Sequence, residues 1–359
     1  MSDSVFTEPR WHAFSGSVSV CSEGETLIEE TQGLEGPAPG GPLYACSVGK
    51  QFVAASAMLL VETGRLDLHE PIGRYLTDLP DAWRRVTTHQ LLSHSAGFGH
   101  WEEVPGFDPD EIPTPDQVLE LCATRPLISA PGTTFAYSGV GYLLAARVVE
   151  RVSGDAYPDF TTERIFAPLG MDSTSSAPAA IPGTNDVRTT VADLARYARA
   201  FAGDELLTAR SRALMCTAHV PVPESEAVLG ETTGYGYGYL VGTLAGREMH
   251  YHPGDLPGYR SAYLAVPSLG ASVAVLSNRD QDDAVGLAAW LWESVLAPAA
   301  RRWQLWREDD NANRYLVSVY PDEAGARARL ADFEAGVVHK QHYWIQEAPL
   351  GRQAADAAS

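Results

Sequence analysis

The run Ser47-Val-Gly-Lys50 sets a hydroxyl and a primary amine three residues apart. On a helix that spacing puts both side chains on one face. The residues through Val61 are mostly apolar on every side, which predicts a buried helix over 47–64 with Gly64 as its stop. Lys50 then lies one turn inside that helix, where an ammonium is costly to desolvate. It must be paired, deprotonated, or both. The positive end of the helix dipole also disfavours the ammonium and lowers its pKa toward that of a useful base. Backbone N–H groups in the same turn can hold an oxyanion. The pattern spells a serine nucleophile beside its base. Ser and Lys at this spacing also occur by chance on solvated helices, but the apolar surroundings of Lys50 argue against that. Cys46, the neighbouring residue, is a thinner candidate nucleophile and reads as core packing.

The elements that must hold this pair are strands at the two ends and helices between. Residues 14–21 alternate apolar and polar, and Glu23-Gly-Glu25 marks a turn before a second strand at 26–30. Residues 261–266 and 271–276 flank Pro267-Ser-Leu-Gly270 as a hairpin, and 282–296 reads as a helix ended near Pro298. Further helices are predicted over 88–93, 114–124, 140–153 and 191–202. The expected organisation is a sheet domain of 1–65 and 235–300, a helical insertion over 66–234, and an appendage at 301–359. Within the appendage, 315–320, 321–334 and 343–346 read as strand, helix and strand, with the tail set apart after about Asn311.

The chain has 359 residues, 45% hydrophobic and 20% charged, which is ordinary for a globular protein. Its formal net charge of −20 argues against nucleic acid and against anionic membrane surfaces as partners. The most apolar segment, 52–61, is about half the roughly 20 residues a membrane span needs. The N-terminus lacks the basic start and apolar stretch of a signal peptide, so the expected location is cytoplasmic. Cys21, Cys46, Cys122 and Cys216 are scattered and read as reduced thiols. Only the Ala-rich end after Arg352 reads as disordered.

Five stretches, in order, carry a resemblance: Cys46-Ser-Val-Gly-Lys-Gln-Phe-Val53, Leu91-Leu-Ser-His-Ser-Ala-Gly97, Pro131-Gly-Thr-Thr-Phe-Ala-Tyr-Ser-Gly-Val-Gly-Tyr142, Pro168-Leu-Gly-Met171 and Tyr251-His-Pro-Gly-Asp-Leu-Pro-Gly258. Over roughly residues 14–297 the chain resembles the penicillin-recognising group of class C β-lactamases, β-lactamase-like carboxylesterases, D-aminopeptidases and DD-peptidases. The resemblance implies an α/β fold: a β-lactamase-like antiparallel sheet flanked by helices, with an all-helical insertion. It implies Ser47, Lys50 and Tyr137 as catalytic residues. The group's Tyr-x-Asn motif appears as Tyr137-Ser-Gly139, so the tyrosine matches and the asparagine does not. A tyrosine beside a lysine ammonium can have a lowered pKa and serve as base or acid. Which of Lys50 and Tyr137 takes the serine proton stays open. Glycine at position 139 offers no side-chain hydrogen bond and leaves extra room.

The group's third motif matches as His252-Pro-Gly254, on a strand edge beside the serine. By that match Gly254 allows close backbone approach, and the N–H of Asp255 completes an oxyanion hole with that of Ser47. His250 and His252 also form an H-x-H pair, but no third ligand is evident and no metal is expected. His94 reads as structural, while His100 and Trp101 are candidates to line a cleft. Gly234-Tyr-Gly-Tyr-Gly238 mimics part of a dinucleotide fingerprint without the strand and helix that must flank it, so no cofactor is expected. The absence of a G-x-S-x-G elbow counts against an α/β-hydrolase. Relative to the group, 171–190 is short, which predicts a partly missing cleft wall, and the tail is additional. That tail leaves three roles open: capping the cleft, joining two copies as a homodimer, or packing.

These features imply a serine acyl-enzyme catalyst acting on a small-molecule ester or amide. An acyl transferase with an amine or alcohol acceptor is the alternative on the same fold. A non-catalytic binding or sensor domain is the rival of another class, disfavoured because both Ser47 and Lys50 are present. A β-lactam-resistance enzyme is disfavoured by Gly139 and by the missing export signal.

Overall fold

The computed structural model of the chain describes residues 4–33, 40–101, 104, 114–297, 301–308, 314–320, 323–336 and 342–349. Asn311, the stop at Pro298, Pro321 at the start of the expected tail helix, and the Ala-rich end lie outside the described residues. The chain divides into two compact units, Met1–Ala289 and Trp290–Ser359.

The first unit is built on a seven-stranded antiparallel sheet. Its strands are β1 (Gly16–Ser22), β2 (Glu25–Gln32), β6 (Glu231–Tyr235), β7 (Leu240–Leu244), β8 (Arg247–Leu256), β9 (Tyr259–Val266) and β10 (Ala271–Ser277), in the order β2-β1-β10-β9-β8-β7-β6. The N-terminal hairpin thus joins the sheet against its last strand, β1 pairing with β10 from Gly16↔Ser277 to Cys21↔Ser272. The expected β9–β10 hairpin closes at Val266↔Ala271. Every residue of β10 is buried, as expected of an apolar run covered on both faces. The glycine-rich run 234–238 is the end of β6 and its turn into β7, with Tyr235 and Tyr237 both buried.

The helices are α1 (Lys50–Glu62), α2 (Asp81–Arg84), α3 (Thr88–Leu92), α4 (Pro115–Ala123), α5 (Gly139–Ser153), α6 (Tyr157–Thr161), α7 (Val191–Ala202), α8 (Ala209–Met215) and α9 (Ala284–Leu291). Thr114 and Thr87 close capping boxes at α4 and α3, with Gln117 and Gln90 reaching back. The expected helix over 47–64 begins differently. Cys46–Gly49 is a tight 3-10 turn and the α-helix starts at Lys50. α1 is buried nearly all round and packs against α5, so its polar residues need internal partners. Ser56 donates to Phe52 O at 2.8 Å, and Gln51 Oε1 accepts from Tyr239 at 2.8 Å.

A second, small sheet was not expected. β3 (Leu43–Tyr44), β5 (Val187–Thr189) and β4 (Ser175–Ser176) lie in the order β3-β5-β4. The stretch 171–190 is therefore tied by backbone pairing to the residues that lead into Ser47.

In the second unit, the expected strand, helix and strand are β12 (Arg314–Tyr320), α10 (Glu323–Gly336) and β13 (His342–Pro349). An unexpected strand, β11 (Arg301–Glu308), is central to this sheet, whose order is β12-β11-β13. Trp303 to Leu305 of β11 pair in register with both neighbours before a shift at Leu305/Trp306.

Asp193, in the first turn of α7, ties that helix to the stretch after Met171. Its buried carboxylate accepts from Ser173 N at 3.0 Å, Thr174 Oγ1 at 2.7 Å and Arg196 at 2.6 Å. Asp193→Ala removes the acceptor shared by Ser173 N and Thr174 Oγ1 and is expected to cost about 1–3 kcal/mol in denaturant unfolding. Arg196→Ala removes only a half-exposed partner and should cost less than about 1 kcal/mol. Equal losses in the two variants would assign the stability to the ion pair rather than to the buried network.

Candidate active site

Ser47 is held by the turn that precedes α1. Cys46 sits at φ +51°, a left-handed conformation that is uncommon for a residue with a side chain. Backbone contacts on either side fix it there: Ala45 N donates to Val187 O at 2.9 Å, and Ser261 Oγ donates to Ala45 O at 2.7 Å. The strand β8 passes so close that a Cβ on Gly254 would lie 2.8 Å from Cys46 Cβ and 3.0 Å from Ser47 N. Only glycine fits at that crossing. Burial pushes the Cys46 thiol up to about 12, so it stays protonated at neutral pH.

Lys50 is 1% exposed. Its Nζ donates to Ser47 Oγ at 3.0 Å and to Gly183 O at 2.7 Å. Burial lowers its pKa to about 7, with Asp186 pulling the other way. The pKa is lowered, as expected, but the cause is burial and not the helix dipole from which the lowering was argued. The Gly183 carbonyl is itself aimed: Gly183 N donates to Asp186 Oδ1 at 2.8 Å, and Ser176 donates to the other carboxylate oxygen at 3.0 Å. Gly183 has φ +71°, and a Cβ there would lie 2.9 Å from Lys50 Cγ. Burial raises Asp186 to about 6, leaving it mostly ionised at neutral pH.

Tyr137 donates to Ser47 Oγ at 2.9 Å, and the Lys50 amine lies 4.8 Å from the centre of its ring. The lowered phenol pKa expected beside a lysine is not found. Burial dominates and drives it up, so the phenol stays protonated. His94 sets the backbone on both sides of Tyr137. Its carbonyl accepts from Ala136 N at 2.7 Å, and its ring Nδ1 accepts from Ser138 N at 3.1 Å. The two rings pack at 4.4 Å between centroids. Burial, with Lys50 nearby, holds the imidazole well below its usual range, which keeps Nδ1 free to accept. Ser138 then caps α5, fixing where Tyr137 leaves the helix.

His252 lies on β8, as the resemblance implied, but its ring is occupied from within. Nε2 meets Tyr235 OH at 3.0 Å, and Nδ1 meets Pro253 O at 2.5 Å. Burial and the nearby Lys50 lower it to about 3, so it is neutral and positions the strand. β7 pairs with β8 only as far as Leu240↔Tyr251. Beyond that point the β7 side of β8, from His252 to Asp255, has no partner strand among the described residues, and those residues line the cleft.

That cleft has a volume of about 600 Å³ and is lined by Ser47, Lys50, Tyr137, Trp101, His252 and Gly254, among others. His100 and Asp255 also line it, as does Gly139. The extra room expected at Gly139 is taken: a Cβ there would lie 2.9 Å from Trp101 Nε1. Among the described residues, no three His, Cys, Asp or Glu side chains converge as a metal site. No described helix is long and apolar enough to cross a membrane.

The arrangement can take a proton from a serine hydroxyl onto an amine and supply one through a phenol. The sequence reasoning missed Gly183, Asp186 and Tyr235. Pro182-Gly-Thr-Asn185 has turn composition, but nothing in it announces a lysine partner.

Comparison with known proteins identifies the fold and the family. The Beta-lactamase family profile matches residues 15–297. Penicillin-binding protein 4* of Bacillus subtilis (strain 168) is 24% identical over 327 residues, 76% of this chain and 69% of that protein. Esterase EstB of Burkholderia gladioli is 32% identical over 193 residues, 47% of this chain and 49% of that protein. The crystal structure of D-amino acid amidase from Ochrobactrum anthropi SV3 superposes with a TM-score of 0.69 at 21% identity, covering 82% of this chain and 97% of that one. The fold is thus β-lactamase-like, and the chain belongs to the Beta-lactamase family.

Proposed function

We propose that this chain is a serine acyl-enzyme catalyst that hydrolyses a small ester or amide, with Ser47 as nucleophile, Lys50 as base and Tyr137 as proton relay. The observation that carries the reading is one oxygen with two partners. Ser47 Oγ lies 3.0 Å from Lys50 Nζ and 2.9 Å from Tyr137 OH, on the wall of a 600 Å³ cleft. The name of the Burkholderia gladioli relative, an esterase, favours an ester.

With a pKa near 7, a large share of Lys50 is neutral at physiological pH. One N–H stays on Gly183 O, and the nitrogen lone pair turns to accept the Ser47 hydroxyl proton. Ser47 Oγ bonds to the substrate carbonyl carbon, and the carbonyl oxygen takes the negative charge. The N–H groups of Ser47 and Asp255 are the proposed donors to it. As the tetrahedral centre collapses, the bond to the leaving oxygen or nitrogen breaks. Tyr137 gives its phenol proton to the departing group, and the proton held by Lys50 replaces it on the phenol, since Ser47 Oγ is by then bonded to the acyl carbon. Water then attacks the acyl-enzyme by the same steps reversed, returning free acid and the Ser47 hydroxyl. His252 and His94 act through others as positioning residues: one holds β8, the other holds Tyr137.

Ser47→Ala is expected to eliminate labelling by fluorophosphonate and activated-ester probes without loss of fold. A label that persists, or moves to Cys46, sinks the nucleophile assignment. Absence of labelling in the wild type across a broad panel would favour a binding domain.

Lys50→Ala and Tyr137→Phe should each slow acylation by about 10²-fold or more, and their effects should not add. The wild-type kcat/KM should rise with pH through about 7, because Lys50 must lose its proton to act as base. Lys50→Ala should lack that limb. A limb that survives the substitution belongs to another group.

At position 139 there is no side-chain amide to grip a β-lactam's amide, and Trp101 fills the space. p-Nitrophenyl acetate and butyrate are therefore expected to turn over better than nitrocefin. Gly139→Asn should not reverse that order, since its side chain collides with the indole. Efficient nitrocefin turnover with negligible ester cleavage would defeat this. Product analysis with added amines and alcohols separates hydrolysis from acyl transfer.

A further inference from the structure

The Ser47 cleft carries a charge that the chemistry derived above does not use. Among the described residues that line it, Lys50, Arg260, Glu226, Asp255, Asp282 and Asp283 can bear a full charge. Most are already engaged. Asp282 accepts from Ser15 N at 2.9 Å and from Ser277 Oγ at 2.6 Å, and Asp283 accepts from Gly286 N at 2.7 Å. Arg260 donates to Asp280 Oδ1 at 3.2 Å and to the carbonyls of Leu256 and Tyr259, and it lies 3.8 Å from Asp255. Glu226 differs. Its carboxylate has no hydrogen-bond or ion-pair partner among the described residues.

The backbone under Glu226 is nevertheless held in place. Glu226 ends the 3-10 turn Glu224–Glu226, after which Ala227 N donates to Glu224 O at 3.1 Å. Val228 N then donates to the Tyr251 hydroxyl at 3.2 Å, which also meets Thr232 Oγ1 at 2.9 Å. Tyr251 precedes His252 on β8, so this turn is fastened to the strand that crosses Ser47 at Gly254. The carboxylate is also within electrical reach of the reacting groups. Burial is the main reason the Tyr137 phenol stands above its usual range; among charged groups, Glu226 adds most and Asp255 next. The Tyr251 phenol, likewise raised mainly by burial, feels Glu226 as well. The field at the Tyr137 phenol is therefore negative, and further negative charge must grow nearby as Ser47 attacks. A cation on the substrate offsets both. Tyr137 is the proton donor to the departing group in the reaction proposed above, so that part of the substrate meets Glu226. Phe135 and Val228 line the same cleft, and Val228 is 51% exposed. A carboxylate, an aromatic ring and an aliphatic side chain together suit an alkylammonium, whose charge is wrapped in apolar groups.

We propose that Glu226 is a specificity-determining residue that selects substrates whose departing portion carries a positive charge, of the alkylammonium class. The proposal rests on the acyl-enzyme reading above, with Tyr137 on the side of the departing group.

The test compares acetylthiocholine with S-(3,3-dimethylbutyl) thioacetate, its uncharged carbon isostere, by kcat/KM for thiol release from the full chain. Both give the same acetyl-enzyme, so a difference between them arises before the thiol departs. The trimethylammonium charge does not titrate, which keeps it apart from the pH limb of Lys50. Glu226→Gln should lower the ratio of cationic to neutral kcat/KM about two- to fivefold, the scale of one part-exposed ion pair. Glu226→Lys should lower it further. Glu224→Gln removes an equal charge from the same turn, at a residue outside the cleft lining, and should change the ratio by less than about 1.5-fold. Salt gives a second measurement that needs no variant. Between about 0.02 M and about 0.5 M the wild-type ratio should fall, and the Glu226→Gln ratio should stay nearly level. The proposal is overturned by a ratio that Glu226→Gln leaves unchanged, by an equal fall in Glu224→Gln, or by a salt response that survives in Glu226→Gln. In each of those cases the neutral thioester still acylates the enzyme, and the acyl-enzyme reading stands. Turnover of neither thioester also overturns the proposal, and absent fluorophosphonate labelling of Ser47 takes the acyl-enzyme reading with it.

Discussion

A lysine amine enclosed in a protein interior must find hydrogen-bonding partners there or give up its proton, and Lys50 does part of each. Among the described residues its nitrogen hydrogen-bonds to Ser47 Oγ and the Gly183 carbonyl, neither of which carries a full negative charge. A carboxylate in the place of Gly183 O would hold the amine as an ammonium. Asp186 is close enough to raise the Lys50 pKa, but it spends both oxygens on Gly183 N and Ser176. The charge is thus kept one step back from the amine, and burial wins. The resulting value near 7 is what a base working at physiological pH requires.

The architecture around that amine can be understood as the means of enclosing it. α1 and α5 supply the apolar walls, β8 crosses the turn at Gly254, and the small β3-β5-β4 sheet binds the stretch carrying Gly183 to the strand that leads into Ser47. The stretch 171–190 is therefore a wall of the lysine's enclosure. Tyr137 is placed from another direction, by a histidine whose ring and carbonyl bracket it. Both polar neighbours of Ser47 Oγ depend on backbone hydrogen bonds made far from them in sequence. The histidine rings next to the centre, at positions 94 and 252, are kept neutral by the same burial that neutralises the lysine.

Much of this was legible from residues with strong periodicity or short separation. α7 runs from Val191 to Ala202 as its pattern predicts, with Thr190 as its cap, and the β9–β10 hairpin falls where its apolar runs place it. The Ser47–Lys50 pairing was legible because three residues fix the geometry. What escaped has physical causes. β11 escaped because its register shifts at Leu305/Trp306, which breaks a two-residue alternation already diluted by arginines at its start. β3, β4 and β5 hold two or three residues each, too few to show a period. A lowered pKa for the Tyr137 phenol was open because one neighbour was in view and the depth of burial was not. Gly183 lies 133 residues from Lys50 and contributes a carbonyl, which every residue has.

That last point bears on how such a centre can change over generations. An acidic side chain that tuned a lysine could be lost or gained through a single codon. The oxygen on Lys50 belongs to the main chain, and no codon change at position 183 deletes it. Heritable variation reaches it only by moving the loop: through a residue at 183 that cannot adopt its left-handed conformation, or through Asp186 and Ser176, which hold the loop in place. Drift in the loop's conformation, more than replacement of a partner, is the route by which this lysine's chemistry would be retuned in descendants of the chain.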